Sequence, residues 1–341
     1  MIRILDCQMP VTVQDAGRPG YRHLGVPLSG ALDVEWLAIA NALAGNSWSA
    51  AALEMRLLGP TLRAQAPIKF ALAGNCAASI ESIRGQRRRV AAWCTHSLAA
   101  GETLIVGRVH DGIAYLAFAG GLDLPAVLGS RSTYARAGIG GIAGRALKSG
   151  DCLNVGAGAA AKARHLPQPP RVTGAPLRLV PGPQREYFSD IAWQRLLGEE
   201  FTVSREADRM GLRLDGPRLD HDPARGADIV SDGVTPGVIQ VPGDGRPIIL
   251  LADCQTVGGY AKIATVIGAD LPRLGRVLPG QPLRFVEVTL AQALAARRQA
   301  AAQLAECIAG MLPGGAGLDL DALYAANLID GVIDAREAHQ S

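Results

Sequence analysis

The chain has 341 residues, 48 % of them hydrophobic, and a net charge of only +3. That content supplies a packed core for each of two domains and speaks against a disordered chain. The near-balanced charge gives no basis for nucleic acid or an anionic membrane as the main partner. Glycine at 41 residues against 4 % aromatic content predicts tight turns and short strands rather than long helices.

Taken in order, Met1 to Asp6 place an acid where a secretory leader needs its apolar stretch. No apolar run approaches the roughly 20 residues of a membrane helix. A helix is expected over 34–44, with Asp33 as its N-cap and Gly45 as its stop. Strands are expected over 103–109 and 115–119. At 156–176 the composition shifts to small residues and prolines without periodicity, which reads as a linker. Beyond it, strands are expected over 177–180, 247–251, 263–267 and 282–288, with short helices over 191–197 and 269–276. From 290 to 308 the apolar residues Leu290, Leu294, Ala301, Leu304 and Ile308 share one helical face, interrupted by Arg297, so that an amphipathic helix docked on a domain surface is expected. The resulting division is an N-terminal domain 1–160, a linker 161–176, a C-terminal domain 177–289 and a helical tail 290–341. Segments 100–104, 149–153 and 279–283 each place a glycine turn before a strand, the device of β-barrel domains.

The six cysteines (Cys7, Cys76, Cys94, Cys152, Cys254 and Cys307) contain no C-x-x-C pair, and the histidines form no H-x-x-H array. No metal site is expected, and reduced thiols in the cytoplasm are. No P-loop lysine motif is present, and Gly138 to Gly144 is glycine-rich without phosphate-loop spacing. No M-K-M biotin attachment motif appears.

Two blocks carry the polar chemistry. The first runs Gln14-Asp15-Ala16-Gly17-Arg18-Pro19-Gly20-Tyr21 to Ser29-Gly30-Ala31-Leu32-Asp33, Asn41 and Glu54. Gln14, Asp15 and Arg18 place amide, acid and guanidinium together. Arg18 suits a planar carboxylate or phosphate, or an ion pair with Asp15. Ser29 and Asp33 are candidate substrate contacts, with helix capping the other reading of Asp33. The second block runs from Asp208-Arg209-Met210-Gly211 through Pro236 to Pro242, including Gln240, to Asp253-Cys254-Gln255-Thr256-Val257-Gly258-Gly259-Tyr260 and Lys262. Arg209 is a candidate anion clamp, or else pairs with Asp208 or Asp215. Asp253, Gln255, Thr256 and Tyr260 follow an apolar strand and place polar groups at a barrel rim. Gly258 and Gly259 allow close approach, and in a turn their N–H groups hold an oxyanion. A turn with a polar cap is the alternative. Asp253 and Lys262 are the candidate catalytic pair.

These blocks, in order and spanning residues 3 to 335, resemble the family that unites the 5-oxoprolinase C subunit with the biotin-dependent carboxyltransferases (allophanate hydrolase subunit 2, urea amidolyase-related). The resemblance implies a mainly β protein of two cyclophilin-like β-barrel domains with a few short helices and a C-terminal helical appendage. It implies a hetero-oligomeric enzyme that activates 5-oxoproline beside a B subunit, with ATP shared with that partner and an A subunit completing hydrolysis to L-glutamate. It also leaves two other roles: a carboxyltransferase component of a biotin-dependent urea or amide carboxylase, and a non-catalytic partner of a kinase-inhibitor-like protein. The sequence departs from the family pattern at Ala207, Cys254, Ala261 and Arg276. Cys254 removes an arginine beside the implied site.

Overall fold

The computed structural model describes residues 1–157 and 162–314. Apolar alternation in the first third of the chain produces two antiparallel sheets. One orders its strands Cys152–Leu153, Ile2–Asp6, Thr61–Ala64, Thr103–Val109, Cys76–Glu81 and Arg87–Arg89. The other runs Val11–Gln14, Ala52–Met55, Ala114–Phe118, Ile68–Ala73 and Cys94–Leu98, then two short strands, Arg164–His165 and Leu312–Pro313. Ile2, Ile4, Leu62 and Leu104 of the first sheet meet Val13, Leu53, Phe70 and Leu116 of the second in one core.

The strand Ala114–Phe118 is buried on both faces. Leu116 and Phe118 point between the sheets, while Tyr115 and Ala117 point at the helix α1 (Val34–Ala44). Ala71, Ala73 and Ala117 keep that outer face low, so Trp36, Leu37, Ile39 and Leu43 of α1 settle on it. The cap is as expected: the Asp33 carboxylate accepts from the N–H groups of Glu35 and Trp36 at 3.1 and 3.0 Å, and Gly45 closes the helix in the left-handed conformation.

The second half builds a curled sheet in the order Pro282–Leu283, Phe201–Val203, Gly211–Asp215, Ile248–Leu250, Val238–Gln240, Lys262–Val266, Leu177–Pro181 and Phe285–Glu287. Leu283 and Phe285 lie at opposite ends of that order, yet only Arg284 separates them in sequence. The sheet therefore curls until its edges meet, which makes a nearly closed barrel. The single strand expected over 282–288 is thus two strands, because the chain steps across the barrel seam at Arg284. The helices α2 (Asp190–Gly198) and α3 (Leu271–Arg276) flank this barrel, and a ribbon of Asp228–Gly233 with Val257–Tyr260 stands off it. The core beneath α1 runs without a break into the barrel interior, through Leu179, Phe201, Ile239 and Ile263.

The helix α4 (Leu290–Ala309) starts in a capping box formed by Thr289 and Gln292. Its inward face is the expected one at Leu304 and Ile308 and differs at Leu290, Leu294 and Ala301. Ala296 is buried and Leu304, Cys307 and Ile308 pack on the core, whereas Leu290 and Leu294 are 68 % and 51 % exposed and Ala301 faces solvent. Alanines seat the helix closely where leucines would hold it off. After α4 the chain returns to the first half: His165 pairs with Leu312, and the Gly314 N–H donates to the Ala163 carbonyl at 2.7 Å. The remainder of the expected tail, 315–341, lies outside the described residues. The architecture is mainly β, with four α-helices among the described residues, none long and apolar enough to cross a membrane.

Candidate functional site

The two polar blocks meet where the halves of the molecule join. The Ser29 N–H donates to the Ala252 carbonyl at 2.9 Å, which fixes the 15–33 loop against the start of the 253–260 block. Asp15 organises this loop. Its carboxylate accepts from the hydroxyls of Ser130 and Ser132 at 2.6 and 2.5 Å and from the N–H groups of Gly17 and Arg131 at 2.8 and 2.5 Å. With that many donors it has no need of Arg18, and the two form no ion pair.

Arg18 is fully buried. Its Nη2 donates to the Ser132 carbonyl, but Nε and Nη1 have no hydrogen-bond partner among the described residues. Burial lowers its pKa, while the nearby charges of Asp15 and Asp253 act to raise it. Three further buried atoms of the same loops are also unpartnered: Gln14 Oε1, Ser29 Oγ and Thr133 Oγ1. The glycine-rich loop closes over this region. A Cβ at Gly140 would sit 3.0 Å from Arg18 Nη2, and one at Gly141 would sit 2.1 Å from Thr133 Oγ1. A buried guanidinium with donors unmet is costly, so Arg18 Nε and Nη1 are the polar atoms of this junction with most to gain from an acceptor.

Arg209 behaves in the opposite way. It binds Asp253 through Nε at 2.8 Å and Nη2 at 3.2 Å, donates through Nη1 to Glu54, and gives its last bond to the Gly30 carbonyl at 2.6 Å. Burial disfavours its charge, but Glu54 and Asp253 outweigh burial and hold its pKa above the ordinary arginine value. Neither pairing foreseen for it, with Asp208 or Asp215, forms. Glu54 also accepts from the Tyr115 hydroxyl at 2.6 Å and the Leu32 N–H at 2.9 Å. Burial, with Glu54 and Asp33 nearby, pushes the Tyr115 hydroxyl well above its usual pKa. A cavity of about 270 Å³ opens beside this network, lined by Thr12, Glu54 and Arg56 from one half and Asp208, Arg209 and Leu278 from the other.

Asp33 is occupied at both oxygens, one capping α1 and the other accepting from Arg276 Nε at 2.5 Å. Arg276 also binds Glu35 at 3.0 Å and lies over the Trp36 ring at 4.5 Å. Lys262 is buried and held by Asp232 of the ribbon and by the Gly233 carbonyl. Gln240 donates to the Tyr260 carbonyl at 3.3 Å and accepts from Gln255 at 3.4 Å, and the Thr256 carbonyl accepts from the Val234 N–H at 3.1 Å. Tyr260 is 42 % exposed on the ribbon. Gly258 and Gly259 lie in a ladder strand rather than a turn, so their N–H groups form no oxyanion nest. Gly258 is needed for close approach, since a Cβ there would come within 2.6 Å of Gln240 Nε2.

The sequence did not single out Arg22. It donates to the Val234 carbonyl and to the Gln255 carbonyl at 3.4 Å, and its charge acts on the buried Cys254 thiol, whose pKa burial raises. Arg22 thus places a cation beside Cys254. Ser130, Ser132 and Tyr115 were missed as well, because their role depends on partners more than sixty residues away in the chain.

The comparisons with known proteins agree with one another. Residues 24–287 match the family described as carboxyltransferase domain, subdomain A and B. The chain is 39 % identical over 302 residues to the C subunit of 5-oxoprolinase from Escherichia coli (strain K12), covering 87 % of this chain and 94 % of that protein. The crystal structure of TTHA0988 overlays with a TM-score of 0.73 at 36 % identity, over 84 % of this chain and 55 % of that one, so this chain spans about half of that longer protein. The K. lactis urea amidolyase gives a TM-score of 0.81 at 28 % identity, over 90 % of this chain and 20 % of that one. With the family match running through both halves of the molecule and the C subunit of 5-oxoprolinase from Escherichia coli 39 % identical over 87 % of this chain, the chain belongs to the carboxyltransferase domain family.

Proposed function

We propose that the chain acts as the C subunit of a 5-oxoprolinase, joining a B subunit to activate 5-oxoproline with ATP for hydrolysis to L-glutamate, which an A subunit completes in the cytoplasm. The observation that carries this reading is the Arg18 guanidinium, buried with two of its three nitrogens unspent. Of the three cations considered as clamp, Arg209 and Lys262 are already committed to carboxylates. Arg18 Nε and Nη1 still have hydrogens to donate to the oxygens of a small anion, and 5-oxoproline carries one carboxylate. Asp253, oriented by Arg209, is near enough for its charge to act on Arg18 and stands as the proton-handling group. In this reading 1–160 and 177–289 are the two units that contribute to one site.

The residues of this chain give ATP no phosphate loop. The glycines of 138–144 pack on Ser132, Thr133 and one another, which leaves no open cradle. ATP is accordingly assigned to the surface shared with the B subunit, where it supplies the phosphoryl group that activates the lactam oxygen. The residues on this chain bind and orient the lactam and keep water from it.

A second reading draws on the higher TM-score to the urea amidolyase: a carboxyltransferase component that takes the carboxyl group of carboxybiotin. The test is glutamate formation from 5-oxoproline and ATP by the co-purified subunits. Arg18→Met is expected to lower kcat/KM by about 100-fold or more, the effect of removing a charged donor set from a closed site. An unchanged rate in this variant would remove Arg18 from the mechanism, and ATP-independent carboxyl transfer from carboxybiotin would favour the second reading.

A further inference from the structure

Away from the Arg18–Asp253 junction, a cleft of about 760 Å³ lies between the strap of residues 171–178, α3, the barrel seam around Arg284 and α4. It shares no lining residue with that junction. Five arginines reach its wall: Arg171, Arg178, Arg273, Arg276 and Arg284.

The only carboxylates on the described wall are those of Glu35 and Asp270, and both are already taken. Asp270 accepts from Arg178 Nη2 at 2.7 Å and lies 3.4 Å from Arg273, and Glu35 accepts from Arg276 at 3.0 Å. An incoming anion therefore meets guanidinium groups without an unpaired carboxylate to repel it. Arg171 makes no hydrogen bond or ion pair among the described residues. Arg284 is 59 % exposed and holds a single contact, 3.3 Å to Glu200, which is not part of the wall. Both have forks to spare for the oxygens of a phosphate.

Glu35, Ala300 and Gln303 of this wall also line a second cavity of about 260 Å³, where Ile39, Pro170, Leu304 and Cys307 add apolar surface and Gln168 an amide. One end of this space is cationic, the other is mostly apolar with its Glu35 carboxylate paired to Arg276, and the glutamines Gln299 and Gln303 lie along α4. A bare inorganic anion would leave the apolar annex empty, and an apolar molecule would leave the arginines uncompensated.

We propose that this cleft is a binding site for an organic phosphate of nucleotide type, with its phosphates on Arg171 and Arg284 and its uncharged ring in the annex beyond Ala300. The proposal goes beyond the 5-oxoproline reading and stands apart from it, since no residue of the Arg18 site takes part.

Calorimetric titration of the full chain with ADP, adenosine and pyrophosphate tests it. ADP is expected to bind more tightly than either fragment, and less tightly as salt rises. Arg171→Ala combined with Arg284→Ala should weaken ADP by about tenfold or more, the loss expected for charge-assisted hydrogen bonds, and leave adenosine nearly unchanged. Ala300→Trp, which blocks the passage, should weaken ADP and adenosine alike and leave pyrophosphate unaffected. Circular dichroism and thermal melts establish that both variants fold. No ADP binding to the folded chain, or ADP binding indifferent to both changes, overturns the assignment. So does ADP binding abolished by Arg18→Met, which would move the nucleotide to the other site. Glutamate formation by the assembled complex is scored separately, so either idea can fail alone.

Discussion

Arg18 and Arg209 are both buried guanidinium groups, but their surroundings differ, and so should the consequences of losing them. Arg209→Met would leave Glu54 and Asp253 buried near each other without a counter-charge, at a cost of about 3–5 kcal/mol in urea unfolding. Arg18→Met replaces a poorly satisfied cation with an apolar chain of similar length and should change stability by less than about 1 kcal/mol while removing activity. A large loss of stability at Arg18 would mean that it is a structural strut. The thiols give a second residue-scale expectation. Burial pushes Cys76 up to about 11 and raises Cys254, so at pH 8 both are protonated and enclosed. Iodoacetamide on the native protein should therefore label the exposed Cys152 and spare these two, as read by mass spectrometry. The sequence revealed the residue types of the site in their loops but not which cation is unspent. That depends on partners such as Glu54, which lies 155 residues from Arg209 and meets it only in the folded chain.

Among the elements, α4 shows what local pattern can and cannot decide. Its start is legible, because Thr289 and Gln292 cap locally, and Thr289→Ala should cost about 1 kcal/mol. Its inward face is legible from hydrophobicity only toward its end, at Leu304 and Ile308; at its start Ala296 fits the surface beneath it and Leu290 and Leu294 do not. Leu304→Ala should therefore destabilise by roughly 1–2 kcal/mol, while Leu294→Ala stays within about 0.5 kcal/mol. Equal effects in thermal unfolding would refute the observed orientation. The ribbon Asp228–Gly233 with Val257–Tyr260 is tied down by Asp232 on Lys262, and that contact leads the causes that hold the Asp232 pKa below its ordinary value. An acid with a depressed pKa contributes stability above its unfolded value and loses it as pH falls through the folded one. Below about pH 4 the ribbon should exchange its amide hydrogens faster while the barrel remains protected, and Asp232→Asn should produce the same pattern at pH 7. A uniform rise across the barrel would mean that the tie supports more than the ribbon.

At the scale of the whole molecule, the halves share a core beneath α1 and a set of crossing bonds. Arg276 reaches Asp33, Arg209 reaches Glu54, and Arg56 donates to the Val277 carbonyl at 3.0 Å. Unfolding in urea should therefore be a single transition, with tryptophan fluorescence and circular dichroism coincident; two separated transitions would show that the shared core is not cooperative. Composition exposed the strand-rich character, and the family resemblance supplied the nearly closed barrel. The return of the chain after α4 stayed hidden, because Leu312–Pro313 is too short to carry any alternation and its partner, Arg164–His165, lies within the linker-like stretch. This small ladder closes a ring in the backbone: everything between residues 165 and 312 is a lobe whose entry and exit are fastened together, like a bead on a clasped cord. One cut in the exposed strap at 171–176 would leave both fragments clasped, so the protein should emerge from gel filtration at its original size after nicking and separate only in denaturant.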